Sequence, residues 1–241
     1  MGSVTLSSCR VSTVPATPPF NLNETHPFDC SELNGADVFW LTICTVSIDF
    51  SDDFSKAEAE RCLRGPFTPP MYDLIDLSRL HLEGAFLGGA RLEGAILKGA
   101  HLEWADLGGA QLKDADLSGA HLKGVTLEEA HLEGADLGGA RLEGVILIGT
   151  HLERANLFRA RLEGVNLTGA RLVGAVVKEA RLREAILVGA NLRRANATRA
   201  DLQRTNLYMA DLQDGDFAEA DLRGSSLVAA DLREANLILQ R

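Results

Sequence analysis

The sequence predicts an all-β solenoid whose coil has four sides. Two observations carry this expectation. From Leu77 to Leu237 every fifth residue is apolar, and thirty of these thirty-three centres are leucine; Val177, Ala197 and Phe217 are the exceptions. Two residues ahead of the centre stands alanine in twenty-four of the thirty-three units, so the unit reads Ala-X-Leu-X-X. A period of five fits neither the turn of an α-helix, about 3.6 residues, nor the alternation of a flat strand. The chain must therefore turn a corner in every unit. With each unit as one side of a square, a circuit takes twenty residues; the leucine and the alanine face inward, and the other three residues face outward.

Units such as Ala115-Asp116-Leu117-Ser118-Gly119 and Ala135-Asp136-Leu137-Gly138-Gly139 resemble the pentapeptide-repeat family. The resemblance implies a right-handed quadrilateral β-helix over about two thirds of the chain. The repeats make about eight coils, a rod roughly 40 Å long at the ~4.8 Å spacing of stacked strands. Stacking at twenty-residue intervals places Leu157, Val177, Ala197, Phe217 and Leu237 in one interior column. Phe217 is expected to lean over Ala197 and fill the space a leucine would occupy. Val125, Val145 and Val165 fall together in a second column. Glycines such as Gly84, Gly89, Gly94 and Gly99 recur at the corners, where a tight turn favours positive φ; they form no phosphate-binding loop.

Ahead of the repeats, residues 1–30 read as a flexible tail rich in Ser and Thr, with Pro15, Pro18 and Pro19. Its composition carries a faint echo of an organelle transit sequence, while the expected compartment is the cytoplasm. Residues 31–66 read as a cap. Four pentads from Ser31 to Phe50, centred on Leu33, Val38, Ile43 and Ile48, fit a divergent first coil; an ordinary strand with a short partner fits the same apolar run. The run Val38 to Ile48 is too short to span a bilayer. Ser55-Lys56-Ala57-Glu58 makes a capping box for a short helix near 56–63, which Gly65-Pro66 stop. Phe67 and Tyr72 return to the five-residue grid, so the solenoid is expected over 67–241. The end of the repeats near Arg241 has no comparable cap and is a candidate homodimer contact.

The formal net charge of -10 hides a pattern: residues 1–76 sum to -7, 77–150 to -5, 151–205 to +6 and 206–241 to -4. Cys9, Cys30, Cys44 and Cys62 all precede the repeats at spacings of 21, 14 and 18, which match no compact metal motif. Free thiols in a reducing compartment fit them better than disulfides, because a large core needs no staples.

Chemistry, if any, must lie on the outward positions. Before the central leucine the family pattern has Asp or Asn, kept here at Asp106, Asp116, Asp136, Asn156, Asn166 and Asn196. On two opposite sides the chain substitutes His81, His101, His121, Arg141, Arg161 and Arg181, and Arg91, His131, His151 and Arg171. Glutamate follows most of them two residues later, as in Arg161-Leu162-Glu163. The expected result is a solvated ion-pair ladder, each exposed pair contributing about 0–1 kcal/mol, rather than a metal site. No nucleophile–base signature or cavity is expected in a core of Leu and Ala, so the reading is a non-enzyme without a cofactor.

A scaffold for a protein partner fits this pattern best, with Arg141, Arg161, Arg171, Arg181, Arg183, Arg193 and Arg194 as the candidate surface. The resemblance also implies an alternative, since quinolone-resistance members of the family mimic duplex DNA and occupy gyrase. The +6 band interrupts the continuous negative rod that mimicry needs. Direct nucleic-acid binding through that band ranks behind both, because Phe158 and Tyr208 are the only aromatics near it.

Overall fold

The computed structural model describes residues 3–9, 44–49 and 75–238. From Asp76 onward the chain winds as a square coil. Bridges are parallel and join residues twenty apart: Asp76 to Ile96, His81 to His101, Phe86 to Asp106 and Arg91 to Gln111 open the four sides, and the series runs on to Asp216 and Asn236. Each side is therefore only a bridge wide, bounded by turns.

Backbone accounting explains the repeat. In the unit centred on Leu82, the Leu82 N–H donates to His101 O at 2.7 Å and the Gly84 N–H to Glu103 O at 2.8 Å, both on the next coil. The Ala85 N–H closes the turn onto Leu82 O at 3.0 Å. The residue before a centre donates backward, as His101 does to Leu80 O at 2.9 Å. Only the amide just after the centre is left, and Asp or Asn two residues earlier accepts from it: Ser118 N–H to Asp116 Oδ1 at 2.9 Å, Gly138 N–H to Asp136 Oδ1 at 2.8 Å, Phe158 N–H to Asn156 Oδ1 at 3.1 Å. This is the physical reason for Asp or Asn before the leucine.

All thirty-two corners from Arg79 to Glu234 have positive φ, between 54° and 73°. Glycine fills half of them; the rest include six arginines, five glutamates and Trp104. The inward residues are buried as expected. Leu157, Val177, Ala197 and Phe217 are all buried in one column, and Leu237 at its end is partly buried. Phe217 has a partner that the five-residue period does not reveal. The residue two before it is Gly215 instead of alanine, and a Cβ there would come within 2.5 Å of Phe217 Cε2. The ring occupies the space of that missing methyl. The Val125, Val145 and Val165 column also forms, and where valine stacks on valine the coils are stretched: Ile146 N–H to Val125 O and Asn166 N–H to Val145 O are both 3.3 Å, while Ile186 N–H to Val165 O, at the end of the column, keeps 2.9 Å. Alanine is the usual choice there because it keeps the coils close.

Three strands extend the solenoid at its N-terminal side: β1 (Ser3–Cys9), β2 (Cys44–Asp49) and β3 (Ile75–Asp76), in that order in one sheet. β2 lies parallel to β3 and takes the place of a preceding coil side, while β1 is antiparallel to β2 and ends the stacking. Residues 3–9 thus form a strand where the sequence suggests a tail, because Ser-Val-Thr-Leu-Ser-Ser-Cys has β-branched residues and no proline. The pairing sets Ile48 opposite Ile75 and Asp49 opposite Asp76, so Ile48 stands two places ahead of the centre it was expected to be. The expected helix near 56–63, the resumption at Phe67, Cys30 and Cys62 lie outside the described residues.

Candidate functional site: the four faces of the coil

Each face is a column of outward side chains at twenty-residue intervals, named here by its first centre. The Leu82 and Leu92 faces carry the expected ladders. Arg91 meets the glutamate of its own unit, with Nε 3.8 Å from Glu93 Oε1, whereas three later arginines reach back diagonally to the glutamate of the preceding coil. Arg161 Nε meets Glu143 Oε1 at 2.9 Å, Arg171 Nε meets Glu153 Oε1 at 2.7 Å and Arg181 Nη1 meets Glu163 Oε1 at 3.9 Å. The long side chain covers the intercoil step more easily than it folds over its own leucine.

The remaining candidate arginines are also engaged. Arg183 lies 3.7 Å from Asp201, and Arg193 and Arg194 lie 3.8 Å and 3.6 Å from Asp214. Arg141 has no ion pair among the described residues. A further set of pairs runs along the corners, again at intervals of twenty: Arg159 to Glu179 at 2.7 Å, Arg199 to Glu219 at 2.6 Å and Glu184 to Arg204 at 3.3 Å. The hydrogen bond from Arg159 holds the Glu179 carboxyl below its ordinary range. At the last coil the forks of Arg223 and Arg233 fold onto Asp221 and Asp231 at 2.6 Å, and these hydrogen bonds lower both carboxyls to about 2.

Histidines are drawn into the same pattern. His101 and His121 Nδ1 lie 3.8 Å and 3.3 Å from Glu103 Oε1; His131 and His151 Nδ1 lie 3.1 Å and 3.4 Å from Glu133 Oε1. Burial raises the Glu133 pKa, but its own backbone N–H together with His131 and His151 outweighs burial and leaves the carboxyl lowered. The glutamate of a His-Leu-Glu unit thus sits against the amide that Asp or Asn serves elsewhere.

The Leu87 face is different. Of the nine exposed large apolar residues among the described residues, seven belong to it: Phe86, Ile146, Ile148, Ile186, Tyr208, Met209 and Val228. From Ile146 to Val228 its outward positions also include Asn166, Thr168, Val188, Asn206 and Ser226, and its rim charges, Glu184 and Arg204, neutralise each other. A linear reading of the sequence misses this face because Ile146, Ile186 and Tyr208 stand far apart along the chain. Only the repeats set out in four columns bring its members side by side.

No curated protein matches the chain. The sequence profile of the family described as Pentapeptide repeats matches in eight copies, over residues 75–114, 110–147, 135–174, 178–214 and 200–237. Among solved structures, HetL, a pentapeptide repeat protein involved in heterocyst differentiation regulation from Nostoc sp. strain PCC 7120, is 32% identical over 67% of this chain and 88% of its own, with a TM-score of 0.41. A pentapeptide repeat protein from the Arabidopsis thaliana thylakoid lumen is 30% identical over 42% of this chain and 67% of its own, with a TM-score of 0.35. QnrB1, a plasmid-mediated fluoroquinolone resistance protein, is 20% identical over 57% of this chain and 70% of its own, with a TM-score of 0.38. The unbroken five-residue period, the twenty-residue bridges and the profile match agree: this chain belongs to the pentapeptide repeat family and forms its right-handed quadrilateral β-helix.

Proposed function

We propose that this chain is a non-enzymatic scaffold that binds a protein partner, and that the contact centres on the Leu87 face between Ile146 and Val228. The observation that supports this reading is the combination of exposed Ile146, Ile148, Ile186, Tyr208, Met209 and Val228 with the internal neutralisation of Glu184 by Arg204. Apolar side chains gathered on one flat side, in a protein whose other faces are laced with ion pairs, mark a surface built to be covered. The arginines expected to serve as the contact are less suited, since Arg161 and Arg171 lie 2.9 Å and 2.7 Å from carboxylate oxygens and Arg181 lies 3.9 Å from a third. The partner of matching chemistry is a protein presenting an uncharged apolar surface.

A photo-crosslinking residue at position 186 tests this, compared with the same residue at position 161. One defined adduct from the native host at 186, lost in Tyr208→Glu and kept in Arg161→Glu, is the expected result. A defined adduct at 161 alone would move the contact to the ladder. Gyrase mimicry has a separate test, inhibition of supercoiling. None is expected, because the basic residues between 151 and 205 outnumber the acidic ones by 11 to 5.

A further inference from the structure

We infer that the solenoid binds two divalent cations of the zinc class, one at His101, Glu103 and His121 on the Leu82 face and one at His131, Glu133 and His151 on the Leu92 face. In each group the two imidazole nitrogens and one carboxylate oxygen lie within 4.8 Å of one another. Two neutral imidazoles and one carboxylate form a donor set that borderline divalent metals favour, with further positions open to water. All three side chains of each group are half-buried, so an ion can reach them while remaining partly shielded.

Ring orientation separates these groups from a mere stack. His101 and His121 have centroids 4.5 Å apart and planes inclined by 52°; His131 and His151 have the same spacing and an inclination of 43°. Inclined planes permit the lone pairs to meet, and in each group both Nδ1 atoms already face one glutamate oxygen. His81 and His101 also stack at 4.5 Å, but their planes are only 15° apart. Near-parallel planes keep the in-plane lone pairs in separate layers, so although His81, Glu83 and His101 also lie within 4.8 Å of one another, the shared His101 is assigned to the inclined pair. The fold therefore distinguishes two sites from three histidine pairs.

The carboxylates have capacity to spare. Glu103 Oε1 and Glu133 Oε1 face the imidazoles, while Oε2 of each is buried without a hydrogen-bond partner. The same orphan oxygen recurs at Glu93, Glu153 and Glu163 beside arginines, so it belongs to the ladder in general. What is particular to the two sites is that two imidazole nitrogens from adjacent coils, rather than a guanidinium, flank the glutamate oxygen. The three donors come from adjacent coils, at positions i, i+2 and i+20. Closing them by rotation about the side-chain torsions would clamp one coil to the next.

The test is metal content and coil stability in tag-free protein at neutral pH. After equilibration with zinc and dialysis, elemental analysis is expected to give two zinc per chain, one in His121→Ala, one in His151→Ala, none in the double variant and two in His81→Ala. Zinc is expected to raise the thermal midpoint of the wild-type chain, by the linkage of binding to folding, and a chelator is expected to reverse the rise; the double variant shows no rise. Circular dichroism in chelator checks that the variants fold. No retained zinc together with no zinc-dependent rise would overturn the proposal, as would a double variant that binds as much as wild type. Loss in His81→Ala matching that in His121→Ala would overturn the assignment by ring inclination.

Discussion

Phe217 fits a column built for leucine because Gly215 leaves out a methyl group beside its ring. Large and small residues are exchanged between the two inward positions of one unit, and the total volume is kept. Gly215→Ala should therefore overpack the core and destabilise it by about 1–3 kcal/mol. Adding Phe217→Leu restores the common Ala-X-Leu unit and should recover most of that loss, which a double-mutant cycle in urea would measure. The acidic residues of the final coil offer a second check. Asp221 and Asp231 are lowered from 3.8 to about 2 by the hydrogen bonds from Arg223 and Arg233. A depressed folded value stabilises the coil above the ordinary carboxylate range, and the contribution fades as the pH falls through about 2. Carboxyl-carbon NMR titration should show both midpoints near 2, and Arg233→Ala should return Asp231 toward its ordinary value while leaving Asp221 low.

Corners show how local strain and pairing compete within an element. Arg154 has φ +60 and Arg199 has φ +59, a region that costs a non-glycine residue about 1 kcal/mol. Arg154→Gly should stabilise the coil by up to that amount in urea denaturation. Arg199→Gly should gain less, because it also removes the 2.6 Å pair with Glu219. The period of five makes the corners, the inward columns and the burial of Val177, Ala197 and Phe217 legible in the sequence alone. It does not show which acid each arginine chooses, since Arg161 is two residues from Glu163 in sequence yet meets Glu143 across the coil step. Nor does it show the apolar face, whose members are neighbours only once the twenty-residue circuit closes. Sequence proximity and spatial proximity part company at the scale of the coil.

For the whole molecule, neighbouring coils are the unit of cooperation. Interior coils are held from both sides, as Leu152 N–H is by Arg171 O at 2.7 Å and His151 N–H by Ala130 O at 2.9 Å. On the last described coil Leu222, Leu227, Leu232 and Leu237 are only partly buried. Hydrogen exchange should accordingly be fastest on the amides of 222–237 and slow progressively toward 150. A uniform exchange rate along the rod would show that it opens as one cooperative body instead.

The square circuit also sets a rule for length. Removing or adding a single unit of five leaves every leucine inside, so the chain still folds, but it rotates all later side chains by a quarter turn. Cut at the Gly139 corner, the residues of the apolar face would come to continue the column of histidines and arginines, and the His131–Glu133–His151 group would lose its third member. A change of twenty residues preserves phase and only shortens or lengthens the rod. Length can thus change in whole circuits without altering the faces, while every smaller step reassigns the surface beyond it.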